Sequence, residues 1–261
     1  MRDLHKARNM TAQRILVINP NTGQATTDRL LQHLPSALPQ GTVLTCVTAR
    51  FGAAYIACEA SYAVAGHALL DAWAHAMADA PECEQPQRLL IGCFGDPGLH
   101  ALRESCAYPV TGLAEASFME ASAIGSFAIV TGGQRWQPML ERLAMSLGYA
   151  QHLQHIETVP QSGAQLLADP TLAVRVLRAA SQRAASQGVQ AIILGGAGLA
   201  GFAALVQPSV PIPVIDSVHA GARVAMGSAL PIAQRARAGF EAAWTGLSPA
   251  MHSLHAAVHT P

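Results

Sequence analysis

Short apolar runs rich in β-branched residues alternate along this chain with longer Ala- and Leu-rich segments of helical period. The short runs predict strands at 14–19, 42–48, 88–92, 127–131, 153–158, 190–194 and 212–215. Pro109 and Pro213 stop the segments before them and open strands of their own. The longer segments predict helices at about 25–34, 60–79, 98–106, 113–122, 135–147, 162–167, 171–187, 198–206 and 217–243. Strand followed by helix, repeated in this way, predicts an α/β protein with parallel sheets and helices on both faces.

One motif occurs twice in the chain. Leu90–Leu99 reads LIGCFGDPGL, and Ile193–Phe202, 103 residues further on, reads ILGGAGLAGF. The segments 109–116 and 213–220 match each other at an offset of 104 residues. Two ordered matches at nearly one offset indicate a duplicated unit, so we expect two similar lobes.

The repeat also predicts the organisation of the chain. We expect lobe one over 14–115 and lobe two over 116–216, with the chain crossing between them near 113–125. The final helix, 217–243, is expected to return to lobe one. We interpret residues 1–13 as a loose tail and 247–261 as a surface extension.

Composition narrows the function classes. Of 261 residues, 51% are hydrophobic and 12% are charged, which excludes a disordered chain. Lys and Arg together number 16, as do Asp and Glu, so charge gives no reason to expect nucleic acid or an anionic membrane as partner. The segment 1–13 lacks the apolar run of a secretion signal, and no apolar stretch is long enough to span a bilayer. We expect a soluble, cytoplasmic protein with a small, weakly charged ligand.

The five cysteines, at 46, 58, 83, 93 and 106, include no CxxC pair. This argues against a disulfide framework and against a structural zinc site, so we expect reduced thiols and no metal. Cys93 differs from the others because it follows a strand and precedes the turn-rich loop Phe94–Gly98. Backbone amides in such a loop can hold a carboxylate or imide oxygen and lower the pKa of a thiol, although a buried cysteine without chemistry fits the spacing as well.

Several polar or glycine positions follow the predicted strands directly. In open parallel sheets, ligands bind beyond the carboxyl ends of the strands, so we expect these residues to border one cleft between the lobes. They are Asn19, Asn21, Cys93, Thr131, Gly196, Asp216 and His219. Helix capping alone would also explain Asn19 and Asn21. Glu115 and His219, which are partners in the repeat, fit either structural hydrogen bonds or acid/base roles.

Residues 196–201 satisfy the pattern GxGxxG, and Asp216 follows Gly196 by 20 residues, as in a dinucleotide-binding fingerprint. Three prolines, at 208, 211 and 213, leave room for only about two helical turns before the next strand. The glycines therefore favour a tight turn that brings backbone close to a small ligand. A nicotinamide-dependent oxidoreductase stays an alternative, whereas nucleophile-elbow, Walker and HExxH motifs are missing from the sequence.

Four segments together resemble the aspartate/glutamate/hydantoin racemase superfamily, closest to its hydantoin racemase branch. They are INPNT at 18–22, GCFGDPG at 92–98, LGGAG at 194–198 and PVID at 213–216, and the resemblance covers roughly residues 14–235. It implies two pseudo-symmetric Rossmann-like (flavodoxin-like) lobes with parallel sheets, an active site in the cleft between them, and no cofactor. It also implies two cysteines that face each other and exchange a proton at a carbon next to a carbonyl.

Carried onto this sequence, the resemblance makes Cys93 the first of the two catalytic cysteines. It implies substrate contacts from Asn19, Asn21, Phe94, Thr131, Gly195, Gly196 and Ala197. The sequence departs from the family at Gly196, which stands where the family has its second cysteine. Since glycine has no proton to give, we expect either another group at the second face, with His219 as candidate, or a reaction that uses one face only.

The resulting hypothesis is a cofactor-independent enzyme that moves a proton at a carbon α to a carbonyl or carboxylate, with Cys93 as acid/base. Its substrate would be a small carboxylate, a hydantoin or an amino-acid-like molecule. Alternatives are an arylmalonate-type decarboxylase, covalent cysteine catalysis as in maleate isomerases, and a non-catalytic binder of small carboxylates. The apolar helix 60–79 makes a homo-oligomer plausible.

Overall fold

The structure, a computed structural model, describes residues 13–227 and 244–258 and contains two four-stranded parallel sheets. The first has the order β2-β1-β3-β4, with β1 Arg14–Asn19, β2 Val43–Thr48, β3 Arg88–Ile91 and β4 Val110–Gly112. The second has the order β6-β5-β7-β8, with β5 Phe127–Gly132, β6 Leu153–Val159, β7 Ala191–Gly195 and β8 Val214–Asp216. The identical order in both sheets agrees with the repeat in the sequence.

Helices connect the parallel strands. They are α1 Gln24–His33, α2 Glu59–Asp79, α3 Leu99–Ser105, α4 Leu113–Ile124, α5 Trp136–Ser146, α6 Gly163–Ala168, α7 Pro170–Ala185, α8 Phe202–Val206, α9 Ser217–Met226 and α10 Pro249–Val258. Short 3₁₀ helices run over Leu34–Ala37, Glu82–Glu84, Ala197–Leu199 and Gln207–Ser209. Within the described ranges, none of the helices has the length and apolar character needed to cross a membrane.

The central strands are buried because helices cover both faces of each sheet. Every residue of β1 after Arg14 is buried, and so is every residue of β7. The edge strand β2, by contrast, alternates between exposed and half-buried positions along its first half. Continuous apolar runs at the sheet centres are typical of parallel sheets, and burial of these side chains supplies much of the stability of the fold.

Helix α4 carries the chain from the end of β4 to the start of β5, and so from the first sheet to the second. Helix α9 then packs against α4 and against β3 and β4 of the first sheet. The predicted helix 217–243 is described as far as Met226, and residues 228–243 lie outside the described ranges. The lobe boundary between residues 115 and 116 falls inside α4 and stays a prediction.

Two local predictions were wrong. The segment 247–261 is not a simple surface extension, because α10 packs on α2 and buries Ala250 and Met251. The predicted helix 198–206 is divided into the 3₁₀ helix Ala197–Leu199 and α8, since Gly201 lies between them at a φ of +84°. In the first case, burial of apolar side chains holds α10 against α2. In the second case, a glycine in the left-handed region interrupts the helix.

Candidate active site

A cavity of about 210 Å³ lies between the two sheets, at the carboxyl ends of their strands. The lining residues come from the last residues of β5 and β7, from the loops after β1, β2, β3 and β7, and from the helices α1, α5 and α6. They are Asn21, Ala25, Thr26, Ala54, Tyr55, Ile56, Gly92, Cys93, Phe94, Thr131, Gly132, Trp136, Gly163, Ala164, Leu167, Gly195, Gly196, Ala197, Gly198 and Leu199. None of these residues is Asp, Glu, Lys, Arg or His. The cavity therefore suits a small, neutral and largely apolar ligand.

Cys93 lies two residues after β3 and borders this cavity, with 7% of its surface exposed. Burial raises the pKa of its thiol, and the neighbouring Asp96 carboxylate raises it further. The expectation that the loop lowers this pKa was wrong. The next helix along the chain, α3, begins only at Leu99, and the effect of burial on the pKa of Cys93 is the largest one. In the resting protein the thiol is therefore neutral and can donate a proton.

Asp96 fixes the loop that carries Cys93. It is 1% exposed and has a φ of +51°, in the left-handed region that few residues other than glycine adopt. Its carboxylate accepts hydrogen bonds from the backbone N–H groups of Ala114 at 3.0 Å and Glu115 at 2.7 Å, in the first turn of α4. Burial raises the pKa of Asp96 to about 7, although these backbone hydrogen bonds act in the opposite direction. The cysteine loop is thus fastened to the helix that joins the lobes.

The corresponding loop of the second sheet begins at Gly196, which has a φ of +140°. Its N–H donates to Ser217 Oγ at 3.1 Å. Within the described residues, the next two N–H groups, of Ala197 and Gly198, donate no hydrogen bond because they open the 3₁₀ helix Ala197–Leu199. Both residues line the cavity, where unpaired amides attract a carbonyl oxygen.

The two asparagines after β1 have different positions. Asn19 Nδ2 donates to Gly23 O at 3.1 Å and to Thr27 Oγ1 at 3.0 Å, and its Oδ1 accepts from Asn21 N at 3.1 Å. These bonds keep Asn19 inside the loop, and it does not line the cavity. Asn21 does line it, while its Oδ1 accepts from Gly23 N at 2.9 Å. Asn19 therefore shapes the loop that presents Asn21.

The two lobes are in contact around Gly195, which touches both Thr131 and Phe94. Thr131 Oγ1 donates to Gly195 O at 2.8 Å and so joins the ends of β5 and β7. The ring of Phe94, from the cysteine loop, lies so close to Gly195 that a Cβ at this position would fall less than 3.0 Å from three ring atoms. Gly195 is required because its missing side chain leaves the space that the Phe94 ring occupies.

The structure does not bring His219 together with Cys93. His219 lies outside the cavity lining, and its Nε2 is 3.2 Å from Ser36 Oγ. Glu115, its partner in the repeat, forms a 2.5 Å ion pair with Arg103. Both side chains therefore contact neighbouring elements of the fold rather than the space beside the thiol.

Asp216, the acidic residue of the GxGxxG pattern, stabilises the turn around it. Its Oδ2 accepts from Gly201 N at 2.7 Å, and its Oδ1 caps α9 by accepting from Val218 N at 2.9 Å. The helix after the glycines, α8, has only five residues. These contacts support the tight-turn interpretation of the glycines. Across the described part of the chain, no cluster of three or more metal-ligating side chains occurs.

Tyr55 and Trp136 are cavity residues that the sequence analysis missed. Tyr55 lies in the loop between β2 and α2, and its hydroxyl donates weakly to Gly132 O, at 3.4 Å, in the second lobe. Trp136 is the first residue of α5, and its ring packs edge-on against Tyr62. The sequence could have indicated Tyr55. Parallel strands β1, β2 and β3 end at the same edge of the sheet, so the loop after β2 reaches the same cleft as the loops after β1 and β3.

Contacts on two sides of the cavity hold the lobes together. Arg142 of α5 forms a bidentate pair with Glu59 at the start of α2, at 2.6 and 2.8 Å. Arg29 of α1 donates to Ala200 O and lies over the Phe202 ring, 5.5 Å from its centroid. The second contact fixes the loop that follows Gly196 to the first lobe.

Comparison with known proteins places this architecture. The model of the Asp/Glu/Hydantoin racemase family matches residues 15–225. The chain belongs to this racemase family. A hydantoin racemase from Paenarthrobacter aurescens is 34% identical over 215 residues, which cover 81% of this chain and 89% of that protein.

Solved racemase structures agree with this family assignment. An allantoin racemase from Klebsiella pneumoniae superposes with a TM-score of 0.74 at 31% identity, covering 82% of this chain and 86% of its own. An allantoin racemase from Pseudomonas fluorescens gives a TM-score of 0.76 at 25% identity, with coverages of 82% and 89%. The family and the fold class expected from the sequence are thus both confirmed for this racemase-family chain.

Proposed function

We propose that this protein catalyses cofactor-independent proton transfer at the carbon α to a carbonyl of a neutral cyclic amide, such as a 5-substituted hydantoin, with Cys93 as acid/base. The observation that carries the proposal is the position of Cys93 in a cavity without charged side chains. Hydantoin racemases and allantoin racemases, which act on cyclic ureides by name, are among its relatives.

The lining favours a ring over a free amino acid or a dicarboxylate. An ionised carboxylate in a buried site needs a cation or several strong hydrogen-bond donors, and the lining side chains include no cation. A hydantoin is neutral, and a carbonyl oxygen of its ring can accept from the free N–H groups of Ala197 and Gly198. Ile56, Leu167 and Trp136 would surround an apolar substituent on the ring.

The proposed mechanism starts with removal of the α-hydrogen by the Cys93 thiolate, and the electrons of the C–H bond move into the ring as an enolate. Backbone N–H groups stabilise the developing oxygen charge. Burial opposes formation of the thiolate, and so does ionised Asp96. When Asp96 is protonated, the thiolate of Cys93 is easier to form. The pKa of Asp96 is about 7, so Asp96 gains or loses its proton near neutral pH. Reprotonation by the same thiol returns a hydrogen to the same face, and inversion requires a proton donor at the opposite face.

The test uses each enantiomer of 5-benzylhydantoin separately in D₂O, with circular dichroism for configuration and NMR for deuterium at the α-carbon. We expect deuterium uptake by the wild-type protein and, for the enantiomer whose α-hydrogen faces Cys93, a loss of about 10²–10⁴-fold in Cys93→Ser. Cys83→Ser, which changes an exposed cysteine, is the matched control and should behave as wild type. Equal exchange rates in wild type and Cys93→Ser would refute the role of the thiol.

A one-face decarboxylation is a second candidate. One observation favours it, and the lack of a cation in the lining for the carboxylates of a malonate ranks it below the first. The resting Cys93 is a neutral thiol, which is the form needed to protonate the enediolate left by loss of CO₂. Phenylmalonate is the diagnostic substrate, since CO₂ release with formation of one enantiomer of a labelled product would indicate a decarboxylase. Binding of the hydantoin without exchange would instead indicate a binding protein.

A further inference from the structure

The cavity contains a second group able to exchange a proton, the phenol of Tyr55. The loop that carries Tyr55 belongs to the first lobe, but the hydroxyl lies against the second lobe, 3.4 Å from Gly132 O. A Cβ added at Gly133 would be 2.9 Å from the same hydroxyl. The phenol therefore borders the cavity beside the second lobe, whereas Cys93 belongs to a loop of the first lobe.

Tyr55 is distinguished from the other polar residues of the lining by its chemistry. The remaining side chains with N–H or O–H groups are Asn21, Thr26, Thr131 and Trp136, whose amide, hydroxyl and indole groups do not ionise in the usual range. The Thr131 hydroxyl is also engaged with Gly195 O. At 3.4 Å, the hydrogen bond from Tyr55 to Gly132 O is longer than a strong O–H···O bond, so the phenol proton is only weakly held. The phenol also has hydrogen-bonding contacts with the Trp136 side chain and the Gly163 backbone, which keep it at the cavity wall.

We propose that Tyr55 is the catalytic acid/base for the second face of the substrate, in place of the cysteine that Gly196 lacks. This inference rests on the proposed function. In one direction the Cys93 thiolate removes the α-hydrogen, and the Tyr55 O–H donates its proton to the opposite face of the enolate. One C–H bond breaks and one forms, a thiol and a phenolate result, and the product has the inverted configuration.

The return step restores the starting protonation states. After the product leaves, the proton on Cys93 passes through water to the Tyr55 phenolate, which regenerates thiolate and phenol. In the opposite direction the phenolate removes the hydrogen and the Cys93 thiol donates. Burial raises the pKa of the Tyr55 phenol, and the charge of a Cys93 thiolate raises it further, although hydrogen bonds with Trp136 and Gly163 act in the opposite direction. The reacting form therefore carries one negative charge, on Cys93 or on Tyr55, whereas both groups are neutral in the resting protein. Because this form is produced by loss of a proton, the rate should rise towards alkaline pH.

The experiment separates racemisation from exchange in Tyr55→Phe, using each enantiomer of 5-benzylhydantoin in D₂O. We expect racemisation to fall by at least about 10²-fold, while the enantiomer whose hydrogen faces Cys93 still gains deuterium with retained configuration. Cys93→Ser should show the reverse preference between the enantiomers. Tyr55→Cys restores an ionisable group and should recover part of the racemisation.

The matched control is Tyr108→Phe. Its hydroxyl donates to Gln85 Oε1 at 2.9 Å, near the amino end of β4 and away from the cavity, so this variant should racemise as wild type. Racemisation by Tyr55→Phe within a few-fold of wild type would overturn the assignment. An equal loss of exchange for both enantiomers would also overturn it, because that result means that Tyr55 only shapes the cavity. Absence of exchange in the wild-type protein would overturn the proposed function itself, and the Tyr55 assignment with it.

Discussion

Replacing Gly112 by alanine should destabilise the protein through the Asp96 carboxylate. A Cβ at Gly112 would lie 2.5 Å from Asp96 Oδ2 and closer still to Cγ and Oδ1. The backbone itself is no obstacle, because Gly112 has a φ of −120° and a ψ of 173°, values that alanine adopts readily. The carboxylate must therefore move, and it then loses its bonds to Ala114 and Glu115.

Two costs add in this variant. Loss of a helix-capping carboxylate destabilises by about 0.5–2 kcal/mol, and overpacking of a buried site costs about 1–3 kcal/mol. We expect a decrease of about 1.5–5 kcal/mol in the free energy of unfolding. Urea denaturation followed by tryptophan fluorescence measures this change.

The control for this prediction is Gly66→Ala in α2. Its Cβ would meet Gly98 atoms at 3.5 and 3.6 Å, an ordinary contact, and alanine favours a helix by about 1 kcal/mol. In an Asp96→Ala background, the Gly112→Ala change should lose most of its effect, since the overlapping atoms are gone. An unchanged urea midpoint for Gly112→Ala, or an undiminished effect in the Asp96→Ala background, would refute this reasoning.

Three further predictions concern ionisation and backbone strain. The pKa of Asp96 is about 7 in the folded protein and 3.8 in the unfolded chain, so between these pH values only the folded protein keeps the proton. The free energy of unfolding should therefore fall as pH rises through this range and then level off. Urea denaturation at several pH values should show a weaker dependence for Asp96→Asn. Hydrogen bonds from Ser61 lower the pKa of the half-buried Cys58 thiol, whereas burial raises the pKa of the Cys93 thiol. Iodoacetamide should therefore label Cys58 before Cys93, as followed by peptide mass spectrometry. Faster labelling of Cys93 would contradict this. The substitution Gly196→Cys has room for its Cβ, since the nearest side-chain atom lies at 3.4 Å. The φ of +140° at this position should nevertheless lower the free energy of unfolding by about 1–3 kcal/mol, and an unchanged urea midpoint would contradict that expectation.

The alternation of strands and helices predicted most of the fold because burial in parallel sheets leaves a clear sequence pattern. The predicted strand 14–19 coincides with β1, and the predicted helix 60–79 differs from α2 by one residue at its start. The pattern failed at Gly201, where a left-handed glycine ends one helix and starts another. It also failed after residue 247, because packing of Met251 against α2 depends on tertiary contacts that a local pattern does not contain.

The candidate site was predicted in part. Strand ends located Cys93, Asn21 and Thr131 at the cavity, since the topology of a parallel sheet determines where its strand ends meet. The same rule did not indicate that Asn19 turns into its own loop, because that depends on hydrogen bonds to Gly23 and Thr27. The direction of the Cys93 pKa shift depends on burial and on Asp96, neither of which spacing along the chain reveals.

Through Asp96, helix α4 not only connects the two sheets but also holds the cysteine loop in place. The first turn of α4 is fastened to the loop that holds Cys93, three residues before Asp96. Because the two hydrogen bonds that Asp96 accepts join the loop to α4, we expect a ligand that shifts the start of α4 to shift the Cys93 sulfur with it.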